Sequence, residues 1–196
     1  MEHFEQTLAI LTQAVRSIRP EAFDALKRDC LATLAAGGKI IASGLGKNVP
    51  ICEKFVGSLH SLGIAAAFMH TNSAVHGDLG LVQPGDLVIV LSKSGETAES
   101  VYLARLLQNR ACVVWLLSFS HASTLHEMIG KRLIIELAHE GDPWNILPNN
   151  STLLNLIVLQ ELAMQLAIAL DVPLDVLRRN HPGGDIGAQL ESGDAP

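Results

Sequence analysis

The sequence contains few cysteines and no disulfide pattern. Cys30, Cys52 and Cys112 are an odd number, lack Cys-x-x-Cys spacing and lie among apolar residues. Cysteines in such surroundings are typically buried thiols of a protein from a reducing compartment. We therefore expect neither a disulfide framework nor a metal site.

Charged residues are also scarce, at 17% of the chain, whereas hydrophobic residues make up 48%. This composition excludes an intrinsically disordered chain and a coiled coil. The formal net charge of −6 argues against a general nucleic-acid-binding protein. An anionic ligand would therefore have to be held by local positive groups.

The chain lacks an uninterrupted apolar run of the kind that spans a membrane. A spanning helix needs about 20 nearly uniform apolar residues. The most apolar segment, 152–170, is interrupted by Asn155, Gln160, Glu161 and Gln165. We expect this segment to form a helix that is buried in the core or at a subunit interface.

The start of the chain also lacks a targeting signal. Glu2, His3 and Glu5 fit neither a signal peptide nor a transit peptide, so the predicted location is the cytoplasm. A length of 196 residues fits one domain. The predicted organisation is one domain over 1–190, with helices in 1–36, an α/β core over 38–190 and a flexible tail over 191–196.

Strand-like apolar runs alternate with helix-like stretches along the chain. The spacing of apolar residues predicts helices over 3–17, 21–36, 50–62, 98–108, 124–129 and 152–170. Short apolar runs predict strands over 39–42, 65–69, 86–91, 112–117 and 133–137. This order predicts an α/β fold, a three-layer αβα sandwich with a central five-stranded parallel sheet, preceded by the N-terminal helices. Ligands of such sheets bind beyond the carboxyl ends of the strands.

The segment 92–97, Ser-Lys-Ser-Gly-Glu-Thr, joins an apolar strand to a helix. A helix N-terminus offers unpaired backbone N–H groups and a partial positive charge, so it binds anions. The hydroxyls of Ser92, Ser94 and Thr97 would complete a phosphate site. A serine or threonine N-cap followed by a turn glycine explains the same pattern without a ligand.

The loop after the first strand, 43–48, reads Ser-Gly-Leu-Gly-Lys-Asn. It lacks the spacing of a P-loop. It also lacks the dinucleotide fingerprint, because Val49 stands where that motif needs a third glycine. The loop is therefore either a ligand loop of another kind or a structural bend.

Two histidines lie in glycine-bearing loops. His76 precedes Gly77 after the second predicted strand, and His181 lies in a His-Pro-Gly-Gly stretch near the end of the chain. A histidine in an open loop is available for proton transfer near neutral pH, although a lone histidine is more often structural.

Five segments together resemble the SIS (sugar isomerase) domain family and, within it, the arabinose-5-phosphate isomerases. They are Ser-Gly-Leu-Gly-Lys at 43–47, His-Gly-Asp-Leu-Gly at 76–80, Ser-Lys-Ser-Gly-Glu-Thr-Ala-Glu at 92–99, His-Glu-Gly-Asp-Pro at 139–143 and His-Pro-Gly-Gly at 181–184. The third segment resembles one shared widely among phosphosugar-binding SIS proteins, whereas the second and fifth together indicate the isomerase branch. The resemblance runs from residue 38 to residue 190 and implies a flavodoxin-like sheet.

The resemblance also implies the site. The implied catalytic residues are Lys47, His76, Glu99, Glu140 and His181. The implied phosphate-binding residues are Ser43, Ser92, Lys93, Ser94, Thr97 and Ser151. No cofactor and no metal are expected. SIS proteins are usually dimers or tetramers, so the resemblance implies a homotetramer or homodimer with sites at subunit interfaces, where His181 reaches a neighbour's site.

Aldose–ketose isomerisation suits these residue types. A carboxylate whose pKa is raised by burial can remove the C2 proton, and a positioned base contributes about 10²- to 10⁴-fold in rate. We prefer Glu140 as the base, because Glu99 lies in the first turn of a helix, where the dipole stabilises a carboxylate. His76 or His181 would open the sugar ring and shuttle protons, and Lys47 would stabilise the enediolate.

The sequence departs from these isomerases in four ways, and the departures in the pocket leave the substrate open. One of them is Asn48-Val49-Pro50 in place of Ser-Gly after Lys47. The isomerases commonly carry two CBS domains after the SIS domain, and this chain ends shortly after Gly187, so we expect no adenine-nucleotide regulation through them. Lys93 replaces a small polar residue, and 148–152 replaces a more hydroxyl-rich run. The expected reaction interconverts arabinose 5-phosphate and ribulose 5-phosphate. The alternatives are an isomerase of hexulose 6-phosphate or heptulose 7-phosphate and a non-catalytic phosphosugar sensor.

Overall fold

A parallel sheet of five strands forms the centre of the protein. The computed structural model describes residues 2–192. The strands are β1 (Ile40–Gly44), β2 (Ala66–His70), β3 (Leu87–Leu91), β4 (Val113–Ser118) and β5 (Lys131–Ile134). They lie in the order β2-β1-β3-β4-β5, and all neighbours are parallel. The predicted five-stranded parallel sheet is therefore confirmed.

Helices cover both faces of this sheet. They are α1 (Glu2–Arg16), α2 (Pro20–Ala35), α3 (Asn48–Ser61), α4 (Thr71–Ala74), α5 (Ala98–Leu107), α6 (Thr124–Met128), α7 (Asn150–Ala169), α8 (Leu174–Asn180) and α9 (Gly184–Ser192), with a 3-10 helix at Asp78–Leu81. The first three helices and α7 pack on one face, whereas α4, α5 and α6 pack on the other. The predicted three-layer sandwich is confirmed.

The structure differs from the prediction in the bounds of β5 and in three short helices. β5 begins two residues before the predicted strand and ends at Ile134, because its partner β4 ends at Ser118, which pairs with Ile134. The short helices α4, α8 and α9 were not predicted, since they are too short for a long apolar period. The last helix extends to Ser192, and residues 193–196 of the predicted tail lie outside the described residues.

The core has two layers, because alternate residues of a strand point to opposite faces of the sheet. In β3, Leu87, Ile89 and Leu91 belong to the layer under α2, α3 and α7. Val88 and Val90 belong to the layer under α5 and α6. All five residues of β3 are buried, as expected for a central strand that is covered on both faces.

The long apolar helix α7 is half buried. Its length and composition match those of a membrane-spanning helix, but one side lies in the core, including Leu154, Leu159, Leu162 and Leu166. Its other side exposes Leu153, Ile157, Met164 and Ile168. The core role that the sequence predicted is confirmed, and an apolar surface remains.

The three cysteines are free thiols. Burial raises the pKa of the Cys30 and Cys52 thiols to about 12. Burial also raises the pKa of the partly buried Cys112. Since thiolate is the reactive form, these thiols are unreactive at neutral pH, in agreement with their interpretation as structural residues.

An ion pair stabilises the amino end of the sheet. Asp86, which is 2% exposed, immediately precedes β3. Its carboxylate accepts hydrogen bonds from the backbone N–H of Lys39 (2.9 Å), the Lys39 ammonium (2.6 Å) and the backbone N–H of Gln83 (2.8 Å). Burial alone would raise the pKa of Asp86, but the Lys39 ammonium and these N–H groups outweigh it and hold the pKa below its usual range.

We expect Asp86→Asn to lower the free energy of unfolding by about 2 kcal/mol at pH 7, because the Lys39 ammonium loses its charged partner. Urea unfolding at a series of pH values measures the difference. The folded-state pKa is depressed, so the stabilisation is present above the pKa of the unfolded chain and is lost as the pH falls through the folded value.

Asp24→Asn is the matched control for this prediction. It breaks the ion pair between Lys27 and Asp24 (3.1 Å), in which the Asp24 side chain is 51% exposed. An exposed pair of this kind contributes at most about 1 kcal/mol. Equal losses for the two variants would contradict a special role for Asp86.

Candidate active site

The loops that follow the strands gather at one edge of the sheet, because all five strands are parallel. The strand order reverses between the adjacent strands β1 and β3. In open α/β sheets this reversal opens a crevice at the carboxyl ends of the strands, where ligands bind. β1 leads into the loop with Lys47, and β3 leads into 92–97. The structure therefore brings these two predicted elements to the same crevice.

Segment 92–97, the β3–α5 loop, is shaped by its own side chains. The Ser92 hydroxyl accepts a hydrogen bond from the N–H of Gly95 (3.2 Å), and the Ser94 hydroxyl accepts one from the N–H of Glu96 (3.2 Å). Gly95 has a φ of 70°, in the left-handed region that glycine adopts at little cost. The loop is therefore a preformed turn.

The β3–α5 loop is also anchored to α6 and leads into an uncapped helix end. The Glu96 carboxylate accepts hydrogen bonds from the backbone N–H (2.8 Å) and the hydroxyl (2.7 Å) of Thr124. Thr97 is the N-cap residue of α5, and its side chain makes no capping hydrogen bond. The first N–H groups of α5 thus have no side-chain cap, which is the arrangement that binds an anion.

Glu140 faces this loop from the segment between β5 and α7. Its side chain is 1% exposed. Oε2 accepts hydrogen bonds from the backbone N–H groups of Asn149 and Ser151 (2.9 Å each), at the N-terminus of α7. Oε1 lies 2.6 Å from Nζ of Lys93. One carboxylate therefore joins the start of α7 to the β3–α5 loop.

The electrostatic state of Glu140 differs from the prediction. Burial alone would raise its pKa, but the Lys93 ammonium and the hydrogen bonds from Ser151 and Asn149 outweigh burial and hold the pKa below its usual range. The net shift of the Glu140 pKa is therefore downward, whereas the proposed base needs a pKa that burial raises. The preference for Glu140 over Glu99 loses its stated reason, because both carboxylates lie at a helix N-terminus.

Lys47 lies at the start of α3, which packs against α7. It is the N-cap residue of α3, and its side chain is exposed. The next residue, Asn48, accepts a hydrogen bond through Oδ1 from the side-chain amide of Asn155 on α7 (2.9 Å). This bond fixes the start of α3 against the first turns of α7, whose N-terminus holds Glu140.

Glu99 and His76 lie at the same edge with exposed side chains. Glu99 occupies the first turn of α5, directly after Thr97 and Ala98. His76 lies between α4 and the 3-10 helix in the connection from β2 to β3. Both side chains are accessible to a ligand or to a partner subunit.

His181 lies at the opposite edge of the sheet. It follows α8, and its Nδ1 is hydrogen-bonded with the carbonyl oxygen of Leu177 (2.8 Å). The adjacent Asn180 donates to the carbonyl oxygens of His60 (3.1 Å) and Ser61 (3.2 Å), at the C-terminal end of α3. Lys47 precedes the other end of this 14-residue helix, which is about 20 Å away at 1.5 Å per residue. Within a single chain, His181 is therefore far from the other predicted catalytic residues.

Three of the predicted phosphate-binding serines are buried. Ser43 is fully buried in β1, where its hydroxyl pairs with the hydroxyl of Thr71 (3.1 Å). The Ser92 hydroxyl is engaged by Gly95, and Ser151 is hydrogen-bonded to Glu140. These serines are hydrogen-bonded within the protein and support the loops that form the site. Lys93, Ser94 and Thr97 keep accessible side chains.

Two residues that the sequence analysis did not select hold Glu140 in position. The side-chain oxygen of Asn145 accepts a hydrogen bond from the backbone N–H of Glu140 (2.8 Å). The buried carboxylate of Asp142 accepts hydrogen bonds from the backbone N–H groups of Trp144, Ile146 and Leu147. The available signal was Asn145 itself, since asparagine tolerates the left-handed conformation that it adopts here at a φ of 55°.

We expect Gly95→Ala to disrupt the β3–α5 loop. An added Cβ would lie 2.1 Å from Oγ and 2.7 Å from Cβ of Ser123, so strain and overpacking together should lower the free energy of unfolding by about 2–4 kcal/mol. Gly85→Ala is the matched control, because Gly85 has a φ of 89° and an added Cβ there would meet open space. This control should cost only about 1–2 kcal/mol. Urea unfolding measures both, and equal losses would contradict the close packing of Gly95.

The sequence matches the SIS domain family over residues 33–162. It is 30% identical over 186 residues to arabinose 5-phosphate isomerase KdsD of Pseudomonas aeruginosa, covering 95% of this chain and 57% of that protein. It is 34% identical over 153 residues to arabinose 5-phosphate isomerase KpsF of Escherichia coli, covering 78% of this chain and 48% of that protein. The chain thus spans about half the length of the curated relatives that it matches.

Solved structures share the fold. A protein of E. coli CFT073, c3406, in complex with arabinose 5-phosphate superposes with a TM-score of 0.85 at 28% identity, covering 92% of this chain and 95% of that one. Phosphoheptose isomerase GmhA of Neisseria gonorrhoeae superposes with a TM-score of 0.68 at 16% identity, covering 85% and 96%. The family match covers more than half of the chain and agrees with the observed sheet. The chain belongs to the SIS domain family.

Proposed function

We propose that this protein is an aldose–ketose isomerase that interconverts D-arabinose 5-phosphate and D-ribulose 5-phosphate without a metal or cofactor. One observation carries the proposal: a loop suited to binding an anion lies next to a buried carboxylate. Nζ of Lys93 in that loop is 2.6 Å from Oε1 of Glu140. One element suits the phosphate and the other suits the proton transfer. The names of the two relatives and the arabinose 5-phosphate complex of the E. coli CFT073 protein support the substrate.

The β3–α5 loop would hold the phosphate. The uncapped N–H groups of α5, the hydroxyls of Ser94 and Thr97 and the ammonium of Lys93 are suitable donors. Hydrogen bonds to charged groups contribute about 1.5–3 kcal/mol each. The loop therefore fixes one end of the sugar and leaves C1 and C2 to the other residues.

The reaction moves a carbonyl from C1 to C2. After ring opening, a base removes the proton from C2, the electrons form an enediolate, and a proton returns to C1 while the O2 proton moves to O1. Glu140 or Glu99 is the base in our proposal, and Lys47 stabilises the negative oxygen of the enediolate. His76 or His181 opens the ring and transfers the proton between O1 and O2.

The active protein in this proposal is a homo-oligomer, either a tetramer or a dimer. His181 lies about 20 Å from Lys47 along α3, so it serves a partner's site rather than its own. An apolar surface is available for assembly: α1 exposes Phe4 and Leu8, and α7 exposes Leu153, Ile157, Met164 and Ile168. We also propose a cytoplasmic location, with neither membrane nor nucleic acid as a partner.

We expect the purified protein to convert arabinose 5-phosphate into ribulose 5-phosphate in the presence of a metal chelator. Glu140→Gln should reduce turnover at least about 10²-fold if this residue is the base, while phosphosugar binding persists. Glu99→Gln is the matched comparison that separates the two candidate bases. NMR of aldose and ketose phosphates of five to seven carbons measures turnover. Tight binding of one of them without turnover of any would instead favour a sensor.

Mixing two inactive variants tests the shared site. We expect Lys47→Ala and His181→Ala each to be inactive, and their co-expression to restore about a quarter of wild-type activity, because random assembly pairs an intact Lys47 with a partner's intact His181 at that frequency. Specific activity of the co-purified oligomer measures the effect. Activity no higher than that of the single variants would place His181 outside a shared site.

A further inference from the structure

Lys93 links the phosphate-binding part of the site to its buried carboxylate. Its backbone belongs to the β3–α5 loop and is fixed there, since its carbonyl oxygen accepts hydrogen bonds from the N–H of Phe119 (3.2 Å) and the hydroxyl of Ser118 (3.1 Å). Its ammonium ends 2.6 Å from Oε1 of Glu140. The main chain of Lys93 therefore belongs to the β3–α5 loop, whereas its ammonium lies at the Glu140 carboxylate.

The two partners of this ion pair are held unequally. The Glu140 side chain is 1% exposed, and its other oxygen is fixed by two backbone N–H groups at the start of α7. The Lys93 side chain is 40% exposed and reaches Glu140 on a flexible stem. Movement of the ammonium is therefore easier than movement of the carboxylate.

A phosphate in the β3–α5 loop would attract the same ammonium. A phosphate monoester carries a charge of about −1.5 to −2 at pH 7, which is larger than the single charge of Glu140. We propose that the substrate phosphate and Glu140 compete for the Lys93 ammonium, so that phosphate binding releases Glu140 from its ion pair. This inference rests on the proposed function, and it makes Lys93 a positioning residue that acts on the reaction through Glu140.

The competition would couple substrate recognition to catalysis. While Lys93 is paired with it, Glu140 has a pKa below its usual range and is a weak base. Losing the cation and gaining a nearby phosphate both favour the protonated carboxyl, so both raise this pKa and strengthen the base. A sugar without a phosphate leaves the ion pair intact. A phosphorylated sugar is therefore favoured twice: it binds more tightly, and its phosphate also makes Glu140 a stronger base.

Among residues 2–192, Lys93 is the charged group that lies within ion-pair distance of the Glu140 carboxylate. Nδ1 of the neighbouring His139 accepts a hydrogen bond from the N–H of Gly141. The Asp142 carboxylate accepts hydrogen bonds from the N–H groups of Trp144, Ile146 and Leu147. The Glu96 carboxylate in the β3–α5 loop is bonded to Thr124. The first turn of α7 contains no acidic residue. A titration of Glu140 consequently reports chiefly on Lys93.

A double-mutant cycle tests the competition, with inorganic phosphate as the probe in calorimetry at pH 7.5. Glu140→Gln should tighten phosphate binding about three- to tenfold, because it frees the ammonium. Lys93→Met should weaken binding about tenfold. The double variant should bind like Lys93→Met. A gain from Glu140→Gln that persists without Lys93, or no gain at all, would overturn the proposal.

Lys131→Met is the matched control for removal of a lysine charge. Lys131 forms an ion pair with Asp29 (2.7 Å) at the start of β5, on the opposite edge of the sheet, so its loss should leave phosphate binding unchanged. A wild-type protein that bound no phosphate would overturn both this inference and the phosphate site of the proposed function. Equal phosphate binding by wild type and all variants would overturn the inference alone.

A second readout follows the carboxyl group itself. Carbon-13 NMR of Glu140 gives its titration midpoint with and without saturating sulfate, a tetrahedral anion that does not titrate near neutral pH. The midpoint should rise when sulfate is added to the wild type. In Lys93→Met it should already be high and rise less. A midpoint that sulfate leaves unchanged would contradict release of Glu140.

Discussion

The carboxylate of Glu140 ties the segment after β5 to the N-terminus of α7 and to Lys93, which lies 47 residues earlier in the chain. It accepts hydrogen bonds at the N-terminus of α7, it pairs with Lys93 after β3, and its own backbone is held by Asn145 after β5. The positive end of a 20-residue helix and a lysine ammonium both stabilise its negative charge. A buried charge is costly unless it is paired and hydrogen-bonded. Glu140 therefore helps to fix the segment between β5 and α7, together with the hydrogen bonds that Asp142 accepts within it.

The parallel sheet explains why polar residues meet at one edge. Its central strands are buried on both faces, as the apolar residues of β3 illustrate. Polar side chains are then confined to the loops, and parallel strands deliver all of these loops to the same edge. Lys47, the β3–α5 loop and Glu140 converge for this reason. The same rule places the amino ends of the strands, with Asp86 and its partner Lys39, at the other edge, where they stabilise the fold.

The site within one chain is incomplete if all five predicted catalytic residues act together. His181 is held at the far end of α3 by the bonds of Asn180 to His60 and Ser61. A helix is stiff over its length, so a local rearrangement cannot carry His181 to Lys47. Assembly of copies would supply the missing histidine, and the exposed apolar side of α7 is suited to that assembly.

The sequence by itself determined the order of the five strands and the longer helices, the parallel sheet and the edge that bears the candidate site. These features follow from apolar periodicity and from residues adjacent in the chain, such as 92–97. The structure alone decided that β5 ends at Ile134, that Ser43 is buried against Thr71, that Asn180 holds His181 at the far end of α3 and that Lys93 pairs with Glu140. Each of these depends on contacts between residues far apart in sequence. Local patterns do not encode such contacts, because the distance between two side chains is set by how the elements pack.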